Sequence, residues 1–418
     1  MRAIKIILSI ATAVLSLSSC EKAEPARKAE PGTPYVLTRA QIEMVKGVNV
    51  FAFNLLDAVS ADEDFAGKDF MVSPHSIGFV LGALNNGATG ETSQEILSAL
   101  GYQGCSSADI NEYNRYILQG CPGVDKLVKF QVANAVFVKE GYEFKEGFSK
   151  ALTTYYDAYV KSMKFDAGAV DAINGWCKEK TEGLIPKIID QIPDEACLYA
   201  LNSIYFKGDW AERFDKSDTR KTVFTNIDGT SSSTWMMHME DWFEFSSNDI
   251  WATVRLPYGN GSYGMYVLLP HEGQNIEDMI DALDFTTWEN EKNRMRSCKV
   301  DLKIPRFETE TDINLIEIMR SLGMERAFDP SKAEFGEMFR TTNGNIWLGL
   351  LKQKSRIIVN EEGTEAAAVT VGGMFDSAAA PTEPQTIEFH ADRPFVYLIQ
   401  EKSSNAIFFI GAKVRSDS

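Results

Sequence analysis

The sequence has few of the residues on which most enzyme chemistry depends. Only four of its 418 residues are histidine, and no serine lies in a G-x-S-x-G turn, so a nucleophilic triad has no signature. The chain also lacks an H-E-x-x-H helix, a glycine-rich phosphate loop and a C-x-x-C pair, which mark metalloproteases, nucleotide enzymes and metal or redox sites. His75 lies at a predicted buried helix start and is typical of a core histidine. We therefore expect no catalytic activity, no cofactor and no bound metal.

Basic residues are also scarce. Lysine and arginine number 42 against 59 acidic residues, which gives a formal net charge of −17. Nucleic-acid binding needs clustered lysine and arginine, so no nucleic-acid partner is expected.

Cysteines are few and show no metal-ligand spacing. Beyond Cys20, Cys105 and Cys121 flank one helix-like segment and could pair in an oxidising compartment. Cys177 and Cys197 lie in apolar contexts and are predicted to be small core residues.

The longest apolar run near the N-terminus, residues 6–17, is too short for a comfortable membrane span and follows Arg2 and Lys5. It ends in LSSC, which resembles a bacterial lipobox. We expect residues 1–19 to be a lipoprotein signal peptide, Cys20 to carry lipid, and residues 20–39 to be a flexible tether. The protein would then be anchored in the cell envelope, at the outer membrane or cell surface. An ordinary secretory signal with a chance cysteine is the alternative, and it would give a secreted protein.

Hydrophobic periodicity and capping signals predict a mixture of helices and strands after the tether. Helices are expected over residues 41–59, 74–84, 92–101, 169–182, 277–288 and 312–322. Thr92 and Glu95 fit a capping box. Strands are expected over residues 127–138, 200–206, 300–307 and 353–360, with two more in the last twenty-five residues.

The most informative stretch is residues 360–370, NEEGTEAAAVT, which precedes a segment containing alanine, proline and glycine. A run of small residues beside a long loop would ordinarily be a solvated linker. Here Val369 and Thr370 favour extended backbone. Alternate positions from Thr364 to Thr370 are all small or hydroxylated, so this segment could enter a sheet as a strand without a bulky side chain blocking it.

This stretch resembles the reactive-loop hinge of the serpin family, and further segments resemble serpins in the family's order. They are VSPHSI (72–77), GATGET (87–92), NAVF (134–137), INGWCKEKTEG (173–183), NSIYFKGDW (202–210), LPY (256–258), LKIPRF (302–307) and RPFVYL (393–398). The resemblance implies one α+β domain over residues 40–418, the serpin fold. That fold has about three β-sheets, eight to nine helices and an exposed reactive-centre loop at about residues 361–391.

The resemblance also implies a suicide-substrate inhibitor of serine proteases. In that mechanism the protease cleaves the loop, and the freed loop inserts into the main sheet while still joined to the enzyme as an acyl ester. Gly363 would be the pivot, and alternate residues from Thr364 would face the core after insertion. The hinge comprises Glu361, Glu362, Gly363, Thr364, Glu365, Ala366, Ala367, Ala368, Val369 and Thr370. The alternative is a non-inhibitory serpin-fold protein that is cleaved as a substrate and acts as a binding or structural module.

The family's spacing puts the cleaved bond fourteen residues after Gly363, between Ser377 and Ala378. Small residues over 377–380 favour elastase-like or subtilisin-like targets. Phe375 would suit a chymotrypsin-like pocket and Met374 a broader one. A papain-like cysteine protease is a further partner, because it too forms an acyl-enzyme. Residues 357–392 contain no arginine or lysine, which disfavours trypsin-like targets.

The resemblance assigns sheet-opening roles to five residues. Ser73, Ser76 and Asn202 correspond to a polar cluster beneath the centre of the main sheet, and Trp210 to the point where insertion begins. Gln353 stands where the family usually has a histidine. Glutamine can also donate and accept hydrogen bonds, so sheet opening can survive the change.

Some serpins bind sulfated polysaccharide through a basic helix. The matching region here, residues 106–119, contains Asp109, Glu112 and a single basic residue, Arg115. No polyanion activator is therefore expected. We expect a monomer that contacts membranes only through its lipid anchor.

Overall fold

The structure, a computed structural model, describes residues 30–192, 197–340, 345–364 and 385–417. Within these ranges it contains nine α-helices and fifteen strands. The helices are α1 (Arg39–Ser60), α2 (Pro74–Asn85), α3 (Gly90–Ala99), α4 (Ser107–Val124), α5 (Glu146–Tyr156), α6 (Ala167–Lys180), α7 (Ile276–Ala282), α8 (Phe285–Arg294) and α9 (Ile316–Ser321).

The strands are β1 (Phe70–Val72), β2 (Val128–Lys139), β3 (Tyr159–Met163), β4 (Leu198–Asp209), β5 (Arg220–Thr225), β6 (Ser231–Ser247), β7 (Trp251–Pro257), β8 (Tyr263–Pro270), β9 (Arg296–Pro305), β10 (Phe307–Asn314), β11 (Leu350–Asn360), β12 (Gly363–Thr364), β13 (Ile387–His390), β14 (Phe395–Glu401) and β15 (Ile407–Lys413). The predicted helices at 41–59, 74–84 and 169–182 are confirmed as α1, α2 and α6. The predicted strands at 127–138, 200–206 and 353–360 are confirmed as β2, β4 and β11.

Helix starts follow local capping chemistry, with one correction. Ser73 caps α2 as predicted, since its side chain accepts a hydrogen bond from the Ser76 N–H. The capping box predicted at Thr92 is wrong, because α3 begins at Gly90. The Thr92 hydroxyl instead accepts the Glu334 N–H at 3.1 Å, so it joins α3 to a distant loop.

Two predicted helices differ from the observed ones. The helix expected over residues 277–288 is two helices, because Asp284 interrupts it and caps α8 by accepting the Thr287 N–H at 2.7 Å. The helix expected over 312–322 starts too early. Strand β10 continues to Asn314 with alternating buried and exposed residues, and only α9 follows.

The described strands form two hydrogen-bonded sheets. The six-stranded sheet has the order β10-β11-β12-β4-β2-β3, and the nine-stranded sheet has the order β1-β15-β14-β8-β7-β6-β9-β13 with β5 paired to β6. The resemblance implies about three sheets. Among the described strands the count is two, because β6 is 17 residues long and pairs with β5 over residues 231–236, with β9 over residues 236–245 and with β7 over residues 244–247.

The core lies between the two sheets. All twelve residues of α2 are buried, and aromatic side chains of the six-stranded sheet meet those of β15. Phe130 lies 4.7 Å from Phe408, and Phe206 lies 5.7 Å from Phe409, between ring centroids. This packing holds the N-terminus of α2 beneath the middle of the six-stranded sheet.

The described part of the expected tether is packed against the domain. Tyr35 is buried, and its hydroxyl donates to the Ile117 carbonyl at 2.6 Å. The Thr33 N–H donates to the Gly123 carbonyl at 2.8 Å. The segment from residue 30 onward therefore belongs to the folded body, ten residues before the boundary expected from the sequence.

The disulfide suggested between Cys105 and Cys121 is not formed, since both thiols are free. Cys121 is buried, with its sulfur 3.2 Å from the Ile117 carbonyl. Cys177 and Cys197 are buried as predicted. Among the described residues, no helix is long and apolar enough to cross a membrane.

Candidate functional site: the hinge of the six-stranded sheet

Strands β11 and β4 lie side by side along only part of their length. They pair in parallel from Leu350–Arg356 to Tyr199–Tyr205. Beyond that point β12 lies between them, with Gly363 opposite Asn360 on one side and Asp209 on the other. The sheet therefore has a gap at one end, and two hinge residues already occupy it.

The turn that leads into β12 is anchored by Glu361. Its side chain is buried and accepts hydrogen bonds from the Thr219 hydroxyl and from Arg306 Nε, both at 2.6 Å. Burial alone would raise the pKa of Glu361, but the hydrogen bonds from Arg306 and Thr219 outweigh it and leave the pKa below its usual value. The Glu362 carboxylate has a different partner, since it accepts a hydrogen bond from Lys216 Nζ at 2.5 Å.

Gly363 and Thr364 fit the gap closely. Gly363 has φ of +143°, and a Cβ there would lie 2.2 Å from the Gly208 carbonyl oxygen. Only glycine can adopt this conformation at this distance. Thr364 is fully buried, and its hydroxyl lies 2.8 Å from the Tyr258 hydroxyl. The small size predicted for this position is therefore already required in the uncleaved fold.

Trp210 closes the end of the gap. Its backbone N–H donates to the Glu362 carbonyl at 3.0 Å, and its indole N–H donates to the Asn360 carbonyl at 2.9 Å. Its ring stacks on Tyr258 with a centroid distance of 4.4 Å. Trp210 thus holds both sides of the β11–β12 turn.

A row of buried amides crosses the middle of the sheet. Gln353, Asn202 and Asn134 lie opposite one another on β11, β4 and β2. Gln353 Nε2 donates to Asn202 Oδ1 at 2.9 Å, and Asn202 Nδ2 donates to Asn134 Oδ1 at 2.9 Å. These bonds join three strands through side chains as well as through the backbone.

The N-terminus of α2 is tied to this amide row. The Ser73 N–H donates to Gln353 Oε1 at 2.8 Å, and Gln353 Nε2 donates to the Ser73 carbonyl at 3.2 Å. The Ser76 hydroxyl accepts from Asn202 Nδ2 at 2.6 Å. Four of the five predicted sheet-opening residues therefore form one network, while Trp210 lies apart at the end of the sheet.

Several residues of the site were not singled out from the sequence. Asn134 is an amide among the apolar residues 132–138 of a predicted strand, which is a signal that could have been used. Tyr258 and Arg306 lie in the family-like segments 256–258 and 302–307, but nothing in those segments indicates a contact with the hinge. Thr219 lies in no such segment. All three reach the hinge from distant parts of the chain.

The remaining predicted site residues lie outside the described residues and stay predictions. They are Glu365, Ala366, Ala367, Ala368, Val369 and Thr370 of the hinge, Met374, Phe375, Ser377 and Ala378 of the reactive bond, and Cys20.

His75 is a core residue, as the sequence predicts. Its ring nitrogens lie 2.8 Å from the Ile407 carbonyl and 3.2 Å from the Tyr113 hydroxyl. Burial lowers the pKa of His75 to about 4, so the ring is neutral at physiological pH.

The other three histidines each contact a defined partner. His271 Nε2 lies 2.8 Å from the Asn248 carbonyl, so that nitrogen carries a proton and cannot accept one from the nearby Ser247 hydroxyl. His238 and His390 both contact the Asp301 carboxylate, at 2.7 and 2.9 Å. Across the described ranges, no group of three side chains is arranged to hold a metal ion.

Comparisons with known proteins agree with this architecture. A family model described as Serpin (serine protease inhibitor) matches residues 46–416. Glia-derived nexin of Rattus norvegicus is 30% identical over 366 residues, which cover 82% of this chain and 87% of that protein. A serpin-like protein of Thermococcus kodakarensis is 31% identical over 395 residues, covering 91% and 88%.

Solved structures show the same likeness. Tengpin, a thermophilic serpin in the native state, is 27% identical with a TM-score of 0.82, and the match covers 93% of this chain and 97% of tengpin. Native protease nexin-1, solved with heparin, is 26% identical with a TM-score of 0.78, covering 90% of this chain and all of that one. The α+β fold implied by the sequence resemblance is confirmed.

Proposed function

This chain belongs to the serpin family, and from that premise we propose that it inhibits serine proteases as a suicide substrate. Serpins are in general protease inhibitors rather than catalysts. The observation that carries the proposal is the position of Gly363 and Thr364 between β11 and β4. They form the first pair of a strand that the rest of the hinge can extend.

In the proposed mechanism, the serine hydroxyl of the protease attacks a loop carbonyl, the amine of the next residue leaves, and an acyl ester joins loop and enzyme. The hinge then extends β12 and separates the parallel β11–β4 ladder. A dozen or so new backbone hydrogen bonds at about 1 kcal/mol each would supply roughly 10 kcal/mol. Dragging the protease by its ester distorts its active site, and a misplacement of about 1 Å can slow the chemistry on the order of a hundredfold.

The composition of the loop supports a target class. We propose Ser377–Ala378 as the cleaved bond and elastase-like or subtilisin-like proteases as targets, with Met374 and Phe375 as alternates for chymotrypsin-like enzymes. Papain-like cysteine proteases fit the same acyl chemistry. A lipid on Cys20 would place the inhibitor at the bacterial cell envelope.

The test is incubation with pancreatic-type elastase and with subtilisin, followed by denaturing electrophoresis. We expect each protease to form an SDS-stable complex with the unmodified protein and with the Thr364→Ser variant, because serine keeps a small hydroxylated side chain. Thr364→Arg and Ala366→Arg should be cleaved without complex, because an arginine cannot enter the gap. Since Thr364 is buried, circular dichroism must first show that its variants fold.

Two outcomes would contradict the proposal. A stable complex formed by folded Thr364→Arg would show that insertion does not depend on this position. Cleavage of the unmodified protein without any complex would support the alternative, a serpin-fold protein that proteases cut but do not stay bound to.

A further inference from the structure

One face of the β5–β6 ribbon carries an exposed patch of mixed chemistry. Lys221 lies opposite Trp235, and Val223 lies opposite Ser233. Because alternate residues of a strand share a face, these four side chains lie together. Trp235 is 46% exposed and Val223 is 61% exposed.

Trp235 is held in place although it is exposed. Lys221 Nζ lies 5.4 Å from the centroid of its ring, and the guanidinium carbon of Arg306 lies 5.7 Å from it. Cations at these distances attract the ring. A tryptophan restrained in this way loses little side-chain freedom when a partner covers it. Tryptophan and arginine are also the residues on which binding energy most often depends at protein interfaces.

A cavity of about 330 Å³ separates this patch from the end of β11. Its acidic lining residues are already paired, Glu308 with Arg356 at 2.7 Å and Asp417 with Lys413. Within the described ranges, Lys221 has no acidic partner. The cavity therefore presents positive charge at its rim, on a chain whose net charge is −17.

The patch adjoins the place where a protease would be held. Arg306, which contacts Trp235, also binds Glu361 at the start of the hinge, and Asn360 lines the same cavity. Strand β13, which follows the loop, pairs with β9 next to β6. A protein bound to the loop between Thr364 and Ile387 would lie at this end of the molecule.

We propose that Lys221, Val223, Ser233, Trp235 and Arg306, the shoulder patch, form a second docking surface for the target protease. The surface of the protease that it fits combines carboxylates with apolar side chains. This inference rests on the proposed inhibitory function and adds a partner surface to it. Charge complementarity at such a surface speeds encounter and orients the partner, and Trp235 supplies the apolar anchor.

The test separates docking from trapping by using proteases whose catalytic serine is replaced by alanine. Subtilisin and pancreatic-type elastase in that form can bind the loop but cannot form the ester. We expect Lys221→Glu and Trp235→Ala each to weaken this binding about tenfold or more, with unchanged melting temperature. Trp242→Ala is the matched control, since Trp242 is 55% exposed on the same strand but away from the patch.

The same variants are then mixed with active protease. We expect the second-order rate of complex formation to fall by the same factor and to become less dependent on salt, while the stoichiometry of inhibition stays unchanged. If both variants bind and react like Trp242→Ala, the shoulder patch has no docking role. If Lys221→Glu binds more tightly, the facing surface is basic and the stated chemistry is wrong. Absence of any covalent complex from the unmodified protein would instead contradict the inhibitory function.

Discussion

The two halves of the β11–β4 boundary differ in how they are closed. At the hinge end, β12 already separates the strands, and the contacts there come from Glu361, Trp210 and Tyr258. Toward the other end, seven residue pairs form a parallel ladder, which the amide row of Gln353 and Asn202 reinforces.

If the loop inserts as proposed, this difference indicates where insertion would start and what would resist it. The hinge end presents a ready strand edge on each side, so the next hinge residues can pair as soon as the ladder below them opens. The ladder and the amide row must break first, and new pairings replace them one residue at a time. In the proposed mechanism, the half that contains β12 would therefore set the direction of insertion, and the half with the parallel ladder would set its barrier.

The largest expected effect comes from breaking the anchor at the open end. Glu361→Lys would place a cation against Arg306 in a buried position, and disrupting a buried pair costs about 3–5 kcal/mol. Urea unfolding should show this loss in the free energy of unfolding.

Glu362→Lys is the matched control for that variant. Glu362 is adjacent in sequence, but its partner Lys216 is 64% exposed, so the change should cost about 1 kcal/mol or less. Equal losses for the two variants would show that the Glu361–Arg306 pair does not anchor the hinge.

A second effect is expected from His75, which lies in α2 between Ser73 and Ser76, the two residues at the N-terminus of α2 that contact the amide row. The pKa of His75 is lowered from 6.5 to about 4 in the folded chain. Between these values the unfolded chain binds a proton and the folded chain does not, so stability falls as pH falls from 6.5 to 4. The shift corresponds to about 3 kcal/mol.

The measurement compares the free energy of unfolding from pH 7 to pH 4 with that of His75→Gln, which does not titrate. The unmodified protein should lose about 3 kcal/mol more than the variant over this range. Parallel curves would mean that His75 is not responsible for any of the acid sensitivity.

The smallest effect is expected from the amide row itself. Gln353→Leu would leave the Ser73 N–H and Asn202 Oδ1 without partners, at a cost of about 1–3 kcal/mol. It should also speed loop insertion after cleavage, measured as the limiting first-order rate of complex formation at saturating protease. Gln353→His keeps donor and acceptor groups and should lie close to the unmodified protein. If Gln353→Leu and Gln353→His have the same free energy of unfolding and the same rate of loop insertion, the amide row does not contribute to the barrier to insertion.

The fold could be predicted to a useful degree from the sequence. Strong periodicity located α1, α2, β2, β4 and β11, and the motif order implied the serpin architecture. Local signals failed where distant contacts decide the conformation. Thr92, for example, looks like a helix cap, but its hydroxyl is used by the backbone of Glu334.

The site divides in the same way. Gly363 and Thr364 could be found because they begin a run of small residues that resembles the family's hinge. Gln353 could be found because the resemblance assigns a role to its position. Arg306, Thr219 and Tyr258 act on the hinge only after folding brings them there, 55, 142 and 106 residues away from their partners in sequence. No local pattern in the sequence reports such contacts.

The position of β14 and β15 determines what a nick in the loop leaves behind. Both strands follow the loop in sequence, yet they lie in the interior of the nine-stranded sheet, between β1 and β8, and every residue of each is buried. A cut anywhere in residues 365–384 divides the polypeptide without releasing its C-terminal piece. The nicked protein should therefore elute from a sizing column as one species and separate into two bands only in detergent.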